Sequence, residues 1–229
     1  MRTTSLNAGC GLISTAPVFA AHLIFAKKMR YVVLTWFCAF VSTVLLVICS
    51  LSSLFTNDPF LILLFSIPID CLGKIVIKFF ACRINFLSSP IDRLSLGMCC
   101  GLGFALAHVL TLYLPVIFDQ PYSIKFDTKH PDYFPNCLDL ALSTQAVSVF
   151  HMGIGLFLFR FSELNIILMY LIILALQYVI GALTQIPIIW LKQILVNFAG
   201  YGCLLLGIYS FRTLRLSPID RNLLQSHSD

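Results

Sequence analysis

The chain has 229 residues, of which 59% are hydrophobic and 11% are charged, and its formal net charge is +5. Soluble domains are about 45–50% apolar and about 25% charged, and disordered chains are more polar still. This composition, with a mean hydropathy of +0.93, therefore excludes both classes and predicts a membrane protein without a separate soluble domain.

Hydrophobic stretches of bilayer length recur along the chain, since about 20 helical residues cross a membrane core. The last stretch, 164–211, would make a helix of about 70 Å, too long for one crossing, so we divide it where Pro187 favours a turn. The sequence thus predicts an all-α membrane bundle in a single domain, residues 1–229. Its seven transmembrane helices are expected at about 5–26, 31–54, 60–82, 94–118, 137–159, 164–185 and 191–211.

The basic residues predict the orientation of these spans. The cluster Lys27-Lys28-Met29-Arg30 follows the first apolar run instead of preceding it, which favours an uncleaved first helix with the N-terminus outside. With seven crossings, the basic residues expected in the cytoplasm are Lys27, Lys28, Arg30, Lys78, Arg83, Arg93, Arg160, Arg212, Arg215 and Arg221. Those expected outside are Arg2, Lys125, Lys129 and Lys192. The excess of basic residues on the cytoplasmic side obeys the positive-inside rule, and seven crossings place the C-terminus in the cytoplasm. The basic residues thus reflect topology and give no reason to expect nucleic acid as a partner.

Span 3 carries Asp70 and Lys74 four residues apart, which places them on one helical face. Each charge at mid-membrane costs about 2.5–3.5 kcal/mol on insertion scales, so we expect the pair to face protein or water. Two interpretations stay open. The pair either belongs to a polar interior or ion pathway, or it is an ion pair with a structural role.

His151 lies inside span 5. A membrane histidine can bind metal, relay protons or donate hydrogen bonds between helices. Neither H-x-x-x-H nor H-E-x-x-H accompanies it, so we predict no metal and favour interhelical hydrogen bonding. Sequence motifs for hydrolases, P-loops, dinucleotide binding and metalloproteases are also missing, so no motif points to a catalytic site or a cofactor.

Small residues recur every four positions in span 4, at Gly97, Gly101 and Ala105, and His108 continues their face. Such a stripe lets another helix, from the same chain or a partner, approach to backbone contact. A second stripe follows in span 7 at Ala199, Cys203 and Gly207. The nine cysteines include no C-x-x-C and no outer pair, so we expect them to act as small apolar side chains.

The order and spacing of these residues resemble the anterior-pharynx-defective (Aph) family, the polytopic scaffold subunit of gamma-secretase. The resemblance covers nearly the whole chain, with the same helix count and orientation. Its segments are Gly9-Cys10 with Pro17, the acid and base of span 3, Ser89-Pro90-Ile91, Gly101-Leu102-Gly103-Phe104-Ala105, His151, Ala182-Leu183-Thr184 and Phe211-Arg212-Thr213-Leu214-Arg215.

The chain also departs from the family pattern. Ala105 stands where the family has its second fourth-helix glycine, and Gln177 stands where it has a sixth-helix histidine. The polar outer loop, 119–136, aligns poorly.

The resemblance implies a non-catalytic subunit that joins a nicastrin-like glycoprotein, a presenilin-like protease and a presenilin enhancer subunit. It implies residence in endoplasmic reticulum, Golgi and plasma membranes, and support of intramembrane proteolysis of single-span proteins such as Notch. Gly97, Gly101 and Ala105 would be helix-packing positions, whereas His151 and Gln177 would be polar positions that support assembly. We expect Asp70, Lys74 and His108 to serve as further intramembrane polar positions.

Two other functions remain open from the residues alone. One is a small transporter or channel whose polar path is lined by Asp70, Lys74, His151 and Gln177. The other is an intramembrane hydrolase that uses His151 and Asp70.

Overall fold

The computed structural model describes residues 2–51, 59–83, 90–118, 136–161 and 165–214. Within them lie seven helices: α1 (Arg2–Phe25), α2 (Met29–Ser50), α3 (Pro59–Arg83), α4 (Pro90–Phe118), α5 (Asn136–Arg160), α6 (Ile166–Thr184) and α7 (Ile189–Leu214). The predicted all-helical class is confirmed. The outer loop up to residue 135, Ser89 and Arg215 lie outside the described residues.

Six of the seven helices found in the described residues are long and apolar enough to cross a membrane, which is consistent with an integral multi-pass membrane protein. The exception is α3. It is 25 residues long, sufficient for a crossing, and its stretch 64–81, whose side chains are described, carries the three charged residues Asp70, Lys74 and Lys78.

The helix ends differ by up to four residues from the predicted spans, because helical backbone does not stop where an apolar run stops. Helix α4 begins four residues early, at Pro90, since proline has no N–H to leave unsatisfied in the first turn. Helix α6 begins after Asn165, whose Oδ1 accepts a hydrogen bond from the Ile167 N–H at 2.9 Å. This is the usual role of asparagine at a helix N-cap.

Helix α5 is the centre of the bundle and is held between α4 and α7 at backbone distance. A Cβ atom added to Gly97 of α4 would lie 2.9 Å from the carbonyl oxygen of Gly155 in α5. On the other side, a Cβ atom on Gly153 would lie 2.8 Å from the backbone of Cys203 in α7. Glycine is required at such contacts because any side chain would separate the helices.

The remaining helices surround this central layer. Helix α1 packs on α4 and α5, α2 packs on α4, and α3 packs on α2 and α6, while α6 also contacts α7. Helices α3 and α6 contact α5 only sparsely. A space therefore remains between them and the central layer.

Candidate polar cavity

A cavity of about 450 Å³ occupies this space between α3, α6 and the central helices. Four of the polar residues singled out from the sequence line it, namely Asp70, His108, His151 and Gln177. They come from α3, α4, α5 and α6, so the fold gathers into one place residues that are up to 107 positions apart. Its volume falls in the range of small-molecule sites, about 300–1,000 Å³.

Asp70 is the centre of the polar contacts on the α3–α6 side. Its Oδ2 forms an ion pair with Lys74 Nζ and accepts a hydrogen bond from Gln177 Nε2 at 2.8 Å. The Oε1 atom of the same glutamine accepts from the thiol of Cys71 at 2.9 Å. The acid and base are thus paired on one face, as their spacing indicated, and Gln177 connects that face to α6.

Lys74 is nearly inaccessible, with 2% of its surface exposed. Its ammonium nitrogen lies 4.4 Å from the centre of the Phe104 ring in α4, within the range of a cation–π interaction. The charge is therefore compensated from two directions, by the Asp70 carboxylate and by the aromatic face. This arrangement satisfies the requirement that a buried charge be paired.

His108 and His151 meet edge to face in the wall between α4 and α5. Their ring centres are 5.5 Å apart with an angle of 64° between the planes. The Nδ1 atom of His151 is buried and has no hydrogen-bond partner among the described residues. An unpaired polar atom in a protein interior costs about 1–3 kcal/mol. The described part of the chain holds no cluster of three residues that could bind a metal ion.

The small residues of α4 pack against α5 directly beside this histidine. A Cβ atom added to Gly101 would lie 2.6 Å from both the carbonyl oxygen of His151 and the Cα of Met152. Ala105, one turn later, is completely buried. In α7, a Cβ atom on Gly207 would lie 3.0 Å from the side chain of Leu156. Both stripes are therefore occupied by α5 of the same chain.

Sequence spacing alone missed a second polar group, which bounds the cavity at the end where α5 begins. Lys192 Nζ lies 2.5 Å from Asp139 Oδ2, and Gln193 Nε2 lies 2.6 Å from Asp139 Oδ1 and 2.8 Å from Ser143 Oγ. The ion pair joins α5 to α7 across 53 positions of sequence. From the sequence, the two residues shared only a position near the expected outer ends of spans 5 and 7.

Lys78 also lies inside the bundle. Only 8% of its surface is exposed, and its Nζ lies 3.1 Å from the sulfur of Met169 in α6. This lysine, which the sequence assigned to the cytoplasmic side, therefore packs between α3 and α6. It is one of three charged residues on the inner side of α3.

Comparison with known proteins adds no assignment to this geometry. No protein-family model matches the chain, and no curated protein matches it.

Proposed function

We propose that this chain is a non-catalytic scaffold subunit of a gamma-secretase-like intramembrane aspartyl protease complex. In this proposal it crosses the membrane seven times, with the N-terminus lumenal or extracellular and the C-terminus cytoplasmic. It holds a presenilin-like protease and a nicastrin-like glycoprotein, with a presenilin enhancer subunit, in endoplasmic reticulum, Golgi and plasma membranes. The complex would cleave single-span proteins such as Notch.

One spatial coincidence supports the proposal most directly. The fourth-helix glycine motif and the fifth-helix histidine, two parts of the resemblance to the Aph family, are in contact, because Gly101 packs on the backbone of His151. Contact between these two positions is what a shared role in helix packing would require. The small-residue contacts also pack α4, α5 and α7 closely together, which suits a scaffold.

Loss of the chain should therefore abolish proteolysis by other subunits. We expect depletion in cells to stop cleavage of a single-span Notch-type reporter, and re-expression of the chain to restore it. The purified chain alone should not cleave the same reporter in liposomes. Undiminished cleavage after complete depletion would contradict the proposal.

The cavity supports a second candidate function, a small transporter or channel. Three of the four residues expected along a polar path, Asp70, His151 and Gln177, line it directly, and Lys74 is paired with Asp70. This function predicts proton or potassium flux into liposomes that contain the purified chain alone. The flux should fall in Asp70→Asn, which removes the charge and keeps the shape. Liposomes no leakier than protein-free controls would exclude it and leave the scaffold proposal unaffected.

A further inference from the structure

Two cysteines from different helices face each other beside the cavity. The sulfur atoms of Cys38 in α2 and Cys100 in α4 are 3.7 Å apart, and both residues are buried, with 0% and 3% of their surfaces exposed. We propose that they are a redox-sensitive pair, which hydrogen peroxide converts into a disulfide that ties α2 to α4.

The backbone between the two helices is close enough for such a bond. A Cβ atom added to Gly103 of α4 would lie 2.5 Å from the carbonyl oxygen of Thr35 and would collide with the Cβ of Cys38. The helices are therefore in backbone contact within one turn of both cysteines. A disulfide needs its sulfurs at about 2.05 Å, so the two atoms must approach by less than 2 Å.

The reaction balances with peroxide as the only co-reactant. One thiol gives up its proton and its sulfur attacks a peroxide oxygen; the O–O bond breaks, a sulfenic acid forms, and the leaving hydroxide takes up a proton in place of the one given up and departs as water. The second sulfur then attacks the first, the S–OH bond breaks, and a second water leaves with the thiol proton. Two thiols are oxidised to one disulfide while one peroxide is reduced to two waters.

Burial and proximity act on different steps of this reaction. Both sulfur atoms are buried inside the bundle, so peroxide reaches them slowly and the first step is slow. The second step joins two atoms that are already in contact, so the sulfenic acid is captured before further oxidation. Peroxide is small and uncharged, which suits a pair that bulky oxidants cannot reach.

The link would fix one wall of the cavity. Cys38 lies one helical turn from Ser42, and Cys100 lies one turn from Phe104, so each shares a face with a residue that lines the cavity. Phe104 is also the ring under Lys74. The proposal rests on this geometry alone and is independent of the proposed scaffold function.

Peptide mapping in membranes that contain the full chain tests the pair. The membranes are treated with hydrogen peroxide, free thiols are blocked with N-ethylmaleimide, and the digested protein is examined by mass spectrometry. We expect a linked peptide that joins Cys38 to Cys100 and is lighter than the two free peptides by two hydrogen atoms. It should disappear with dithiothreitol and in Cys38→Ser, and persist in Cys99→Ser, which alters the buried neighbour.

Three results would overturn the proposal. Both cysteines of the unaltered chain could remain fully reactive with N-ethylmaleimide once unfolded. They could each be recovered as separate sulfinic acids. Cys38 could instead be linked to Cys99. All three are read from the unaltered chain, so they do not depend on whether a variant folds.

Discussion

At the scale of single residues, the buried charges of α3 are stabilised by contacts with side chains of other helices. Asp70 contacts Lys74 within α3 and Gln177 across to α6, and the Phe104 ring of α4 covers the lysine. The acid and base could be paired from sequence because four-residue spacing fixes their common face. The contacts of Gln177 and Phe104 with this pair could not be predicted, because their positions depend on how α4 and α6 pack.

Gln177→Leu should lower the free energy of unfolding by about 1–3 kcal/mol, because it removes the hydrogen bonds to the Asp70 carboxylate and the Cys71 thiol. Gln177→His should cost less, since a ring N–H can still donate to the carboxylate. Titration with SDS in mixed micelles measures both. Gln185→Leu, at an exposed position, is the control and should change stability by less than about 0.5 kcal/mol. Equal losses for leucine at both positions would show that the hydrogen bonds contribute nothing.

The ion pair between Asp139 and Lys192 should show energetic coupling. Asp139→Asn or Lys192→Met alone leaves one half-buried charge without its partner, whereas the double variant leaves none. We expect the double variant to be more stable than the sum of the single losses implies, by about 0.5–3 kcal/mol. A double-mutant cycle in the same SDS titration measures this term. Strict additivity would mean that the two charges do not interact.

At the scale of helices, contact through glycine sets the arrangement of α4, α5 and α7. The stripe in α4 could be predicted from its four-residue spacing. The sequence could not decide whether a helix of the same chain or of a partner chain packs against it. The structure places α5 of the same chain against it. Gly153 and Gly155 of α5 were not predicted as packing positions, because they are two positions apart and face α7 and α4, respectively.

Gly101→Leu should therefore damage the fold of this chain before it affects any partner. Its new side chain would meet backbone atoms of His151 and Met152, which cannot move aside as a flexible side chain can. Overpacking of this kind costs about 1–3 kcal/mol or more. We expect a lower midpoint of thermal aggregation in detergent.

The matched control for this helix contact is Gly202→Leu in α7. A Cβ atom at Gly202 has no neighbour within 4 Å, so the same substitution should leave the thermal midpoint nearly unchanged. If both leucine variants behaved alike, close approach of α4 and α5 at Gly101 would not be what holds them together.

At the scale of the whole molecule, composition predicted the class and apolar length predicted the helices to within a few residues. The cavity itself could not be predicted, because it forms where α3 and α6 make few contacts with α5. Its existence depends on packing at residues far apart in sequence. The polar residues that line it were nevertheless identifiable, since few polar groups occur in spans this apolar.

Seven crossings predict termini on opposite sides of the membrane. The sequence contains no Asn-x-Ser/Thr site for N-glycosylation. A glycosylation tag added to one terminus therefore reports the side of the membrane on which that terminus lies, without a signal from other sites. In microsomes, a tag at the N-terminus should be glycosylated and one at the C-terminus should not. If α3 did not cross, the number of crossings would be even, and tags at both ends would behave alike.

Co-purification tests the proposed scaffold function most directly. The tagged full chain is extracted from its native membranes in mild detergent, and the captured proteins are identified by mass spectrometry. The account predicts recovery of both a presenilin-like and a nicastrin-like protein, in smaller amounts with Gly101→Leu and in undiminished amounts with Gly202→Leu. Recovery of neither protein with the unaltered chain would contradict it.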